Sequence, residues 1–97
     1  VGYVEVEQFE LAKDVEDDEF ARRDAALQSW SYVHRPGLVR RTTARGEGRA
    51  VLVVTLFGGG EPPRPLEAGP GDGPLAAFHA VVATSTYWRA VYRDLDG

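Results

Sequence analysis

Ninety-seven residues, 43% hydrophobic and 27% charged, suit one folded domain whose core is marginal unless association adds buried area. A net charge of −4 argues against a nucleic-acid partner, since phosphate contacts need a basic surface. The absence of cysteine excludes disulfides, thiolate nucleophiles and Cys-held metals. No run is long enough to span a membrane, and Val1 to Leu11 carries acids where an export signal needs basic and then apolar residues. A cytoplasmic protein is the expectation.

In chain order, Tyr3 to Leu11 reads as a strand with Val4 and Val6 on one face and Glu5, Glu7, Phe9 and Leu11 on the other. The two glutamates are expected at a solvent-facing strand end, with partial shielding beside Phe9 and Leu11 as the alternative. A helix follows over 15–34. Asp14 is placed to cap it, and acids at 16–19 meet the positive end of its dipole. Asp18 with Arg22 and Glu19 with Arg23 have the favourable acid-before-base spacing. Pro36 and Gly37 stop it. At 100° per residue, Phe20, Leu27 and Ser31 share a stripe, with Asp24 on one shoulder and Trp30 and His34 on the other. That stripe is polar for a core face.

Gly37 to Thr43 is the second strand, and 45–49 (RGEGR) turns it back into Arg49 to Phe57. The run Ala50 to Leu56 is apolar except for Thr55 and does not alternate, so both of its faces should be covered. Eleven of the seventeen residues from 58 to 74 are Gly or Pro, which neither helix nor sheet tolerates. They read as a long loop inserted in the domain, a lid or an interface arm. Gly58-Gly59-Gly60 lacks the residues of a phosphate loop, and Pro62-Pro63-Arg64-Pro65 is a weak match to a polyproline ligand. A second helix is expected over 74–83, capped by Gly73, with Leu75, Phe78 and Val82 buried and His79 on the shoulder. Thr84-Ser85-Thr86 would close it. Tyr87 to Asp94 is the last strand, with Trp88, Ala90 and Tyr92 on one face and Tyr87, Arg89, Val91 and Arg93 on the other.

The order β-α-β-β-α-β defines an α+β, ferredoxin-like domain over 1–97: a four-stranded antiparallel sheet with both helices on one face. The first and central strands are expected in the middle, paired parallel across the first helix. Two helices cover only one face, so a second copy of the chain is the simplest cover for the other, giving a homodimer through the open sheet face.

The spacing of several short pieces resembles the antibiotic biosynthesis monooxygenase-like family of dimeric α+β barrels. These are Glu19-Phe20 with Asp24, Leu27-Gln28 and Trp30, then Arg35-Pro36-Gly37-Leu38 with Arg41, and Ala76-Ala77-Phe78 before the Tyr87–Tyr92 strand. The resemblance implies homodimers with a ligand cavity between sheet and helices. It also implies activities that include cofactor-independent oxygenation of phenolic or quinol polyketides, haem degradation and signal-molecule oxygenation. The family's second helix is longer; here 58–74 replaces its first part. The haem-degrading branch uses a first-strand asparagine and a tryptophan after the central strand. This chain contains no asparagine and has Phe57 at the second place, so haem degradation is not expected.

An oxygenase without a cofactor needs a group that turns a phenol into its oxidisable anion, inside an apolar pocket. His79 and Asp24 are the candidate catalytic groups, and Trp30, His34, Trp88 and Phe20 the candidate substrate-binding residues. Each has a plainer reading. His34 sits where a helix C-terminus favours a cation, His79 is placed to be a core-edge histidine, and the aromatics are ordinary packing. Asp24 would be desolvated unless Arg41, Arg89, Arg93 or a strand group holds it. No cofactor and no metal are expected, the two histidines forming no ligand pair. The alternative to a small-aromatic-molecule oxygenase or cyclase is a non-catalytic binding module of the same fold, with 58–74 as its partner or dimer arm. An open cavity reached by Asp24 or His79 favours the first; a filled one favours the second.

Overall fold

The computed structural model describes residues 2–67 and 73–95. The elements are β1 (Gly2–Leu11), α1 (Asp17–His34), β2 (Leu38–Arg45), β3 (Ala50–Phe57), α2 (Gly73–His79) and β4 (Val82–Asp94). One sheet holds all four strands in the order β2-β3-β1-β4.

Every pair in that sheet is antiparallel, β1 with β3 included. The expected parallel pairing is therefore wrong. The helix crossover brings the chain back so that β2 runs with β1, and the hairpin then reverses it. β3, inserted between them, must run against both. Glu5 pairs with Thr55 and Thr55 with Arg41, so these three form one row across the helix-facing side of the sheet.

Helix α1 begins later than expected. Asp14 has φ of 69° and lies in the turn before it, while Glu16 takes the extended cap position with no side-chain capping bond. Phe20, Leu27 and Ser31 are its buried residues, as the periodicity requires. Of the two i,i+4 pairs expected, Glu19–Arg23 forms at 2.8 Å; Asp18 instead accepts the Glu19 N–H at 2.9 Å. Beyond the helix, Gly37 has φ of +79°, and a Cβ there would stand 2.6 Å from the Gly58 carbonyl oxygen. Only glycine lets the start of β2 pass so close to the end of β3.

Helix α2 stops at His79, four residues short of the expected end. Val81 and Val82 are β-branched, and Val82 pairs with Leu11 at the start of β4. Thr84-Ser85-Thr86 accordingly belongs to β4 rather than to a helix terminus. The register of β4 against β1 jumps there, from Gln8↔Trp88 to Glu10↔Ala83. Thr86 Oγ1 holds the irregularity, accepting from the Glu10 N–H at 2.8 Å and donating to the Ala83 carbonyl at 2.6 Å. A bulge of this kind re-aims the neighbouring side chain. Tyr87 stacks on Phe9 with ring centroids 6.3 Å apart.

Between helices and sheet the core is aromatic at one end. Phe9, Phe20 and Phe78 meet with centroids 5.7–6.5 Å apart, and Leu11, Leu27, Val51, Val53, Leu75, Val81 and Val82 fill around them. On the opposite side of the sheet Val4, Val6, Leu52, Val54 and Ala90 are half-buried, while Leu56, Trp88 and Tyr92 are exposed. One chain thus covers one face of its central strand and leaves an apolar second face.

Candidate functional site

Charge gathers at the other end of the enclosed side, contrary to the solvent-facing expectation for the acids of β1. Glu5 is 1% exposed. The Arg35 guanidinium donates to both its oxygens, Nη1 to Oε1 at 2.8 Å and Nη2 to Oε2 at 3.0 Å. Arg89 adds a third bond, Nε to Oε2 at 2.8 Å. Burial alone would push the Glu5 carboxyl up, but the bonds and charges of Arg35 and Arg89 outweigh it and hold it below the ordinary glutamate value. Both arginines also reach the Gly/Pro segment. Arg89 Nη2 donates to the Pro63 carbonyl at 2.8 Å and Arg35 Nη2 to the Arg64 carbonyl at 3.1 Å, while Arg35 lies 4.7 Å over the Phe57 ring. One buried carboxylate therefore fixes a helix end, a strand and a loop together.

Glu7, two residues on, is in a different state. It is half-buried and accepts the Tyr87 hydroxyl at 2.5 Å. Burial first, and then the negative charge of Glu5, pushes its carboxyl above the usual range. The Tyr87 hydroxyl is pushed up as well, by burial and by the adjoining Glu7. The two carboxyls of one strand are thus shifted in opposite directions, Glu5 down and Glu7 up, a pattern found at acid–base sites.

Glu7, Arg41, Leu66, Phe78, His79 and Tyr87 are among the walls of a small chamber of about 20 Å³. A more open hollow of about 180 Å³ shares Leu66, His79, Val82 and Tyr87 with it and adds Pro65 and Thr84. Leu66, from the segment that replaces the expected first part of the second helix, stands in the wall of both. Arg41 is 6% exposed; its Nη2 binds Asp24 Oδ1 at 2.8 Å, its backbone N–H donates to Tyr32 Oη at 3.2 Å, and its Nη1 has no hydrogen-bond partner among the described residues. Among those residues no three His, Asp or Glu side chains are grouped to hold a metal ion.

The six residues singled out from sequence fall in four places. His79 lines the chamber and the hollow. Asp24 is held by Arg41 and by the Thr43 hydroxyl at 2.9 Å, the plainer reading given above, and faces a shallow groove between α1 and β2 that Phe20 also lines. It meets the chamber only through Arg41. Trp30 packs on exposed His34 with ring centroids 4.8 Å apart, and His34 borders a separate hollow of about 250 Å³ with Arg35, Phe57 and residues 61–66. Trp88 pairs with Gln8 and lines a hollow with Gln8, Leu52 and Thr86, on the side of the sheet away from the helices. It cannot wall a site containing His79. Sequence reasoning passed over Glu5, Glu7, Arg35, Tyr87 and Leu66. The alternation of β1 did place both glutamates beside Phe9 and Leu11, which was the available signal.

No protein-family model matches the chain, and no curated protein matches it. Solved structures of like fold do. SnoaB, a cofactor-independent oxygenase from Streptomyces nogalater, superposes with a TM-score of 0.65 at 16% identity, over 96% of this chain and 92% of that one. A dimeric ferredoxin-like protein of unknown function from Thermobifida fusca gives 0.63 at 16% identity over 96% and 91%. A chain from Chloroflexus aurantiacus, named as a candidate antibiotic biosynthesis monooxygenase, gives 0.56 at 11% over 100% and 98%. At these identities the likeness establishes the ferredoxin-like fold that the sequence spacing resembles.

Proposed function

We propose that this protein is a homodimeric, cofactor-independent oxygenase acting on a small aromatic, polyketide-like molecule in the space bounded by Glu7, His79 and Tyr87. The observation that carries the reading is the pairing of Glu7 with Tyr87, a carboxyl pushed above its usual range in a chamber walled by Leu27, Leu66, Leu75, Phe78 and Val82 beside Arg35, Arg41 and His79. His79, beside that pair, can take the proton of a phenol or of the methylene between two aromatic rings, leaving a carbanion or phenolate that oxygen oxidises. For the methylene case the product is a carbonyl: one oxygen atom stays on carbon and the other leaves as water with the two hydrogens. His79 is the proposed proton acceptor, with Glu7 and Tyr87 as its relay; Asp24 serves as a positioning residue through Arg41. Dimerisation through the apolar sheet face and a cytoplasmic location belong to the same reading. Oxygen uptake on a panel of anthrone and quinol substrates tests it. Turnover should fall at least a hundredfold in His79→Ala or Glu7→Gln, and wild-type rates in both variants would remove these groups from the mechanism.

A second reading, a non-catalytic binding module, is favoured by one observation: the inner chamber holds only about 20 Å³ with Leu66 in its wall. That volume suits one water molecule. If Leu66→Ala enlarges the space and still gives no turnover on any substrate of the panel, this reading replaces the first.

A further inference from the structure

Arg41, in the chamber wall, carries a donor that no group among the described residues uses. Arg41 has a side chain 4% exposed, and its two terminal nitrogens differ: Nη2 is committed to Asp24 and Nη1 is unpartnered among the described residues. A buried, unsatisfied guanidinium N–H is costly, and a bound ligand is one way such an orphan is satisfied. Thr55, the cross-strand neighbour of Arg41 in the same row, is fully buried and its Oγ1 is likewise unpartnered.

Charge points the same way. On the enclosed side Arg35 and Arg89 share the single carboxylate of Glu5, Arg41 bonds Asp24, and Glu7, in the chamber wall, is hydrogen-bonded by Tyr87. The arginines there outnumber the carboxylates bonded to them. An enclosure of this kind accepts an anion more readily than a neutral group.

Its apolar walls, Leu75, Phe78 and Val82, suit a flat hydrocarbon body beside the anion. The obstacle is Leu66. It is half-buried, it lines both the 20 Å³ chamber and the 180 Å³ hollow, and its segment is tied down by two hydrogen bonds, at Pro63 and Arg64.

We propose that Arg41 Nη1 is the anchor for the carboxylate of a small aromatic acid, and that Leu66 is the movable partition which must withdraw to admit it. The site lies in the same enclosure as the proposed oxygenase chemistry but does not depend on turnover, and binding alone reads it. Loss of one therefore leaves the other standing.

Calorimetric titration with benzoate, and with benzamide as the uncharged isostere, tests the assignment. Benzoate should bind at least tenfold more tightly than benzamide, the difference expected for a charge-assisted bond to a buried arginine. Leu66→Ala should strengthen benzoate binding several-fold and Leu66→Trp should abolish it. Arg41→Lys keeps a cation for Asp24 but removes the second planar nitrogen, and should weaken benzoate tenfold or more while leaving benzamide unchanged. Equal affinity for the two probes, no benzoate binding by either wild type or Leu66→Ala, or unchanged affinity in a folded Arg41→Lys would overturn the proposal. Should Arg41→Lys fail to fold, the comparison of probes on wild type and the two Leu66 variants decides.

Discussion

At one end of the sheet the two faces reverse what a lone chain would show. Toward the helices, beyond the core of Phe9, Leu11, Val51 and Val53, stand Glu5, Glu7, Arg41, Thr55 and Arg89; away from them stand Val4, Val6, Leu52, Val54, Leu56, Trp88 and Tyr92. Strand β1 shows the reversal within four residues, with valines outward and glutamates inward. Inward charge is costly unless paired, and outward hydrocarbon is costly unless covered. The difference teaches that charge is held inside by pairing, while the outward side of the same strands is left apolar.

The sharpest way to break the enclosed side is to remove its central carboxylate. Glu5→Ala leaves Arg35 and Arg89 buried without their anion, and should cost about 3–5 kcal/mol, read as a large fall in the urea midpoint. Next comes the outward face. Leu52→Glu places a charge in the middle of the apolar surface, and sedimentation should show the assembly weakened by two or more orders of magnitude, about 3 kcal/mol.

A smaller effect belongs to Asp24. Its bonds to Arg41 and Thr43 lie at the rim of the enclosure, so Asp24→Asn should cost about 1–2 kcal/mol and loosen Arg41, lowering turnover without abolishing it. The two glutamates should then give opposite pH dependences. Glu5 is held below its unfolded value, so its stabilisation is present above the unfolded pKa and is lost as pH falls through the folded one. Glu7 is pushed above its unfolded value, so its contribution is complete below the unfolded pKa and is lost as pH rises through the folded one. Urea titrations of Glu7→Gln should lack that upper loss and retain the acid limb. Least of all, His34→Ala, at an exposed position beside Trp30, should change stability by no more than about 0.5 kcal/mol.

Local patterning carried the fold. The buried trio of α1, the RGEGR hairpin and the unbroken apolar run of β3 each follow from spacing alone, and the solved structures of like fold agree with the β-α-β-β-α-β order. The β1–β3 direction was misjudged because adjacency in a split crossover is not the same as running sense. Val81 and Val82 were drawn into a helix because Leu75, Phe78 and Val82 also fit its period; pairing with β1, a non-local effect, decided otherwise.

The site was harder to read. For Asp24 the sequence offered Arg41, Arg89, Arg93 or a strand group as partners, and Arg41 and Thr43 are the ones that hold it. Glu5 was expected at a solvent-facing strand end, with Phe9 and Leu11 on its face as the hint of burial; its partners lie 30 and 84 positions away, and no local rule brings them together. Trp88 was misplaced because alternation gives two faces without saying which one the helices cover. Leu66 had no periodic pattern to betray it, coming from a Gly- and Pro-rich segment read only as a loop, a lid or an interface arm.

The division of labour between the two faces is tested most directly by sedimentation equilibrium of the wild-type protein at micromolar concentration. The account predicts a species of twice the 10.6 kDa chain mass, dissociated by Leu52→Glu. A wild-type protein that sediments at the mass of one chain would leave Leu52, Val54, Leu56 and Trp88 facing water and would contradict it.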